Sequence, residues 1–191
     1  QVLSAASTIT TISETLASDY SLTDVVCTGM GTGGSVTVDT LFETFTLNAA
    51  ATAYGSDIAC TVTNTKTPTV KVQKTTLGGV GGGFVFNQTN LASTPTNITT
   101  TSTSTPTPVS PTAINVVTIG ADITLTEIPA SGFILTSASC TDANSAITGN
   151  TGSIGTLISN TLTIPAANNV AGADFSCTFT NTQLANTTVT L

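Results

Sequence analysis

The chain has 191 residues, 39% of them hydrophobic and only 7% charged, with a formal net charge of −7 at pH 7. The apolar share is enough to bury a core, but the charged share is far below the usual quarter. The surface must therefore be mostly Thr, Ser, Asn and Gly, which suits an extracellular structural protein better than a cytosolic enzyme. Three lysines and no arginine cannot neutralise a run of phosphates, which argues against a nucleic-acid partner. With no run of 18 apolar residues, no helical membrane span is expected. With no histidine, a Ser–His–Asp triad is ruled out.

Apolar and polar residues alternate along the chain, and helical periodicity is absent. Strands are predicted over 9–12, 21–27, 35–39, 42–47 and 57–64, then over 69–74, 83–86, 98–103, 114–119, 123–127, 133–140, 156–158, 161–164 and 174–181. Thr and Val enrichment fits, since β-branched side chains suit a pleated surface. Gly and Pro fall between the runs, as turns require. The short segment 65–68 is expected to couple two domains closely. The glycine-rich stretch LGGVGGG at 77–83 has no Gly-Lys-Ser/Thr and no helix start after it, so it reads as a loop and not as a phosphate cradle. The Thr/Ser/Pro-rich segment 94–112 reads as an edge strand followed by a long loop. The fold class is all-β, with two tandem β-sandwiches.

The strands repeat. ISETLASDYSLTDVVC at 12–27 aligns without a gap on LTEIPASGFILTSASC at 125–140, and DIACTVTNT at 57–65 aligns on DFSCTFTNT at 174–182. Residues 1–65 are therefore an incomplete repeat and 66–183 a complete one. The first copy lacks its opening strands. Segment 184–191 resembles the opening strand of the second copy and is read as a donor strand. Each copy holds one cysteine pair, and the alignment predicts disulfides Cys27–Cys60 and Cys140–Cys177. The spacing is wrong for zinc, so no metal or cofactor is expected. Two disulfides point to an oxidising compartment.

KVQKTTLGGVGGGFVF at 71–86, TEIPASGF at 126–133 and the closing FTNT at 179–182 together resemble the Cna-B-like, SpaA-like prealbumin-fold domains of bacterial surface proteins and pili. TEIPASGF is similar to the family's E-x-x-A-P-x-G-Y. Many members join a first-strand Lys to a last-strand Asn in an isopeptide bond, with the Glu as proton shuttle. By position the resemblance implies Lys71, Glu127 and Asn181 for those roles. The first copy has Glu14 and Asn64 but no lysine of its own. We expect the cysteine pairs to act as staples in place of that bond, and the chain to be no enzyme.

The expected function is that of an extracellular structural subunit of a filament, pilus or stalk on a bacterial cell surface. It polymerises with copies of itself. Ala185, Thr187, Val189 and Leu191 share one face of the donor strand and match Pro68, Val70, Val72 and Lys74. Inserted into the incomplete repeat of the next subunit, they would supply main-chain hydrogen bonds and apolar side chains. The alternative is a fragment of a long tandem-repeat surface protein, or an adhesin with a glycan or host-surface ligand.

Overall fold

The computed structural model describes residues 5–109 and 112–185. The chain forms two compact units, Gln1–Lys66 and Thr67–Leu191, and among the described residues their regular structure is strand apart from one helical turn, as the alternation requires.

The second unit is a sandwich of two five-stranded sheets. In the first sheet β6 (Thr69–Leu77) lies beside β15 (Asp174–Gln183), and β15 pairs in turn with β12 (Phe133–Asp142). The β6–β15 ladder is parallel and runs unbroken from Asp174↔Thr69 to Thr182↔Leu77. The short strands β9 (Thr107–Pro108) and β10 (Ile114–Asn115) pair with β6. The facing sheet has the order β13 (Thr156–Ile158), β14 (Thr161–Ile164), β11 (Ile123–Ile128), β7 (Gly82–Thr89), β8 (Ile98–Thr99). Period-two alternation sends Val70, Val72, Phe84, Phe86, Ile123, Leu125, Leu162, Ile164, Phe175 and Phe179 into one core, each at most 1% exposed. A disulfide joins Cys140 to Cys177 within that core.

The first unit repeats half of this plan. A three-stranded sheet has the order β1 (Thr10–Ser13), β4 (Thr44–Leu47), β3 (Val36–Asp39), and a two-stranded sheet pairs β2 (Tyr20–Thr28) with β5 (Ala59–Lys66). These correspond to β11, β14 and β13, and to β12 and β15. The shared register is visible in the opposed cystines: Cys27↔Cys60, joined by a disulfide, matches Cys140↔Cys177. Even the bulges match, one between Leu22 and Asp24 and one between Leu135 and Ser137. Among the described residues β5 has no neighbour where β15 has β6, and β1 has none where β11 has β7. The core is correspondingly thin. Leu22, Val25 and Phe45 are buried, but Cys60 and Val62 are only half-buried.

The glycine-rich stretch is a tight connection between β6 and β7. A Cβ on Gly81 would lie 2.4 Å from the Phe133 ring, and Gly83 has φ +83° beside a bulge. Both positions demand glycine for packing and backbone reasons. Three elements depart from expectation. Strands expected over 98–103 and 114–119 shorten to β8 and β10, and α1 (Ser145–Thr148) makes one helical turn that ends on Gly149 in the left-handed region.

Candidate functional site

The alternation of β6 decides which lysine enters the second unit. Val70, Val72 and Lys74 share the inward face, whereas Lys71 and Gln73 face outward. Lys71 is thus placed on the surface, where it makes a 3.4 Å ion pair with Asp174 and keeps half its side chain exposed. The amine brought to Glu127 and Asn181 is that of Lys74. This corrects the lysine assignment implied by the resemblance. The deciding signal was in the sequence: Val70 and Val72 are apolar, so the lysine an even number of residues away shares their face.

Lys74, Glu127 and Asn181 are each no more than 1% exposed. Lys74 comes from the first strand of the second unit, Glu127 from the facing sheet and Asn181 from the last strand. Lys74 Nζ donates to Asn181 Oδ1 and, at 3.1 Å, to the Phe179 carbonyl. It lies 3.2 Å from Glu127 Oε2 and 4.6 Å from the centre of the Phe84 ring. Asn181 Nδ2 donates to Glu127 Oε1 at 2.5 Å. The amine, the amide and the carboxyl thus touch pairwise in a site closed to water.

Burial opposes charge on both ionisable groups. It lowers the pKa of Lys74 against the attraction of Glu127. It raises the pKa of Glu127 against the attraction of Lys74 and the Asn181 hydrogen bond. Both shifts favour a neutral amine and a protonated carboxyl, the pair needed for acyl transfer. The neutral amine can attack the Asn181 amide carbon while the carboxyl delivers a proton to the leaving nitrogen.

The first unit holds two-thirds of the same site. Asn64 Nδ2 donates to Glu14 Oε1 at 2.9 Å, as Asn181 does to Glu127. Among the described residues the other oxygens, Glu14 Oε2 and Asn64 Oδ1, are buried without a hydrogen-bond partner. They correspond to the two oxygens that Lys74 faces in the second unit. The first unit also has an open cleft of about 460 Å³, lined by Ile12 of β1, Phe45 and Leu47 of β4, Cys60 of β5 and the loop residues 52–58. In the second unit the residues matching Ile12, Phe45, Leu47 and Cys60 are Leu125, Leu162, Ile164 and Cys177, and they are fully buried.

Of the donor-strand residues, Ala185 is exposed, while Thr187, Val189 and Leu191 lie outside the described residues. Among the described residues no group of His, Cys, Asp and Glu is arranged to hold a metal, and no helix is long and apolar enough to cross a membrane. A family model for a prealbumin-like fold domain of the SpaA type matches residues 1–66 and 70–183. Searches of curated proteins and of solved structures each returned no match.

Proposed function

The chain belongs to the SpaA-type family of prealbumin-like fold domains, a family of bacterial surface and pilus-type proteins, and from that premise we propose that it is an extracellular structural subunit of a surface filament, pilus or stalk. The subunits assemble head to tail. A β-strand of one copy completes the first unit of the next, and residues 184–191 are that strand. The carrying observation is the half-built first unit. It has counterparts of β11, β14, β13, β12 and β15, but among the described residues β5 and β1 are without the neighbours that β15 and β11 have. Such edges leave backbone donors and acceptors open to another chain. The cleft bordered by Ile12 of β1 and Cys60 of β5, with both apolar and polar lining, suits the alternating side chains of an inserted strand. A contact between unlike surfaces does not close on itself and propagates as an open fibre.

In the second unit, the closeness of Lys74, Glu127 and Asn181 leads us to propose an internal isopeptide bond between Lys74 and Asn181 in addition to the disulfide, which replaces the expectation that the disulfide stands in for it. Lys74 Nζ bonds to Asn181 Cγ, the Cγ–Nδ2 bond breaks and ammonia leaves. Glu127 passes the proton and is itself unchanged. The bond would tie the first strand of the unit to its last, so that tension along the fibre is carried by covalent bonds.

Deleting residues 184–191 tests assembly. Filaments are expected to vanish on electron microscopy while circular dichroism still reports a folded second unit. Val189→Asp should also block assembly, because a buried unpaired charge is costly. Thr188→Ala, on the opposite face, should be tolerated. Normal filaments from the truncated chain would refute strand insertion by this segment.

A further inference from the structure

We propose that residues 101–105 of the second unit form a modification site whose hydroxyls accept O-linked sugars. The proposal does not depend on how the first unit is completed.

Residues 99–105 are seven consecutive Thr and Ser residues, followed by Pro106. The fold divides them sharply. Thr99 pairs with Gly82 in β8. Thr100 is 1% exposed, its hydroxyl is bonded to that of Thr76 at 2.9 Å, and its amide donates to the Gly81 carbonyl at 2.8 Å. From Thr101 to Pro106 every residue is exposed. The chain is fixed again where Thr107 and Pro108 pair with β6 and where Val109 enters the core. Between these anchors the Ser104 amide donates to the Thr76 carbonyl at 2.8 Å, with Ser104 at φ +63°. The backbone thus holds the segment against the end of β6, outside any sheet, and the hydroxyls take no part in holding it.

The sheet faces treat their hydroxyls differently. Thr11 pairs with Thr46, Thr23 with Thr65, Thr89 with Thr124 and Thr126 with Thr161, each hydroxyl to hydroxyl across two strands. A sugar on any of these would break a contact between strands. Among the described residues the side chains of Thr101, Ser102, Thr103, Ser104 and Thr105 make no hydrogen bond, so a sugar on them breaks none. Exposed Ser and Thr beside Pro, on backbone that is neither helix nor sheet, is the composition of O-glycosylated segments.

Charge selects the kind of group. The chain has a net charge of −7 and no arginine. Lys66 pairs with Asp19, Lys71 pairs with Asp174 and Lys74 is enclosed. A phosphate would add about two negative charges with none of these cations free to receive it. A neutral sugar adds no repulsion and supplies hydroxyls to a surface poor in charge. In the transfer, the Thr or Ser oxygen bonds to the anomeric carbon of a sugar activated by a phosphate leaving group. The bond from that carbon to the phosphate oxygen breaks, and the hydroxyl proton passes to a base of the transferase. No oxidant or reductant is needed.

Mass spectrometry of the chain recovered from the cells that make it tests the site. The peptide spanning 94–112 should be heavier than its sequence by whole sugar residues, and mild alkali should remove them by β-elimination. Electron-transfer fragmentation should place them on 101–105 and on none of Thr96, Thr100 and Thr107. Replacing the acceptors together (Thr101→Val, Ser102→Ala, Thr103→Val, Ser104→Ala, Thr105→Val) should abolish the added mass and leave circular dichroism unchanged. The wild-type peptide map decides the matter even where that variant misfolds. An unmodified peptide, phosphate in place of sugar, or sugars confined to other parts of the chain would overturn the proposal.

Discussion

Lys74 is an ionisable side chain enclosed among Phe84, Phe179, Glu127 and Asn181. Removing one member of such a group strands the others. The intact chain should weigh one ammonia less than the sequence with two disulfides. Lys74→Met should restore that mass and Lys71→Ala should not. Peptide mapping separates this loss from cyclisation of Gln1. The lysine was misplaced at the sequence level because both candidates lie in the same short strand, three residues apart. Chain position alone cannot choose between them, whereas the parity set by Val70 and Val72 can. Glu127 and Asn181 were legible because each sits in a motif that the first copy repeats.

A second residue-scale prediction concerns Asp142. Burial pushes its pKa up, but hydrogen bonds from the Thr148 hydroxyl, the Asp174 and Asn144 amides and the Asn150 side chain outweigh burial and hold it below its ordinary value of 3.8. A depressed carboxyl pKa means that the unfolded chain binds more protons. The contribution of Asp142 is therefore full above pH 3.8 and is lost as pH falls through the folded value. Asp142→Asn should lower stability near neutral pH by about 1–3 kcal/mol. Denaturant titrations should show the difference from wild type narrowing in acid. A gap independent of pH would contradict the charge-based account.

At the scale of elements, each disulfide ties the last strand of its unit to the antiparallel strand it pairs with, β5 to β2 and β15 to β12. Closing loops of 33 and 37 residues should stabilise each unit by about 3–4 kcal/mol in the chain-entropy picture. We expect the loss to matter more in the first unit, whose core rests on Leu22, Val25 and Phe45. Mild reduction followed by proteolysis should cut within 1–66 before it cuts within 67–183. The long strands were legible because each alternates cleanly over four or more residues. The helical turn α1 was not, since one turn is too short to show a period. In 94–112 the Pro and Ser content hides β9, where Pro108 pairs at the edge of β6, a place where its missing N–H is tolerated.

At the scale of the whole molecule, one asymmetry dominates: a complete sandwich and a half sandwich are built on one plan in one chain. The internal repeat makes that asymmetry readable from the residues alone. What the sequence could not convey is that the half sandwich keeps a polar pair, Glu14 and Asn64, with two oxygens unsatisfied among the described residues. That fact depends on which groups approach in space. The most direct test is hydrogen exchange of the full-length chain, compared between dispersed subunits and assembled fibres. The account predicts that amides of β5 and β1 exchange readily in the dispersed subunit and become protected on assembly, while those of β15 and β11 are protected in both states. Protection of β5 and β1 that is the same before and after assembly would contradict it.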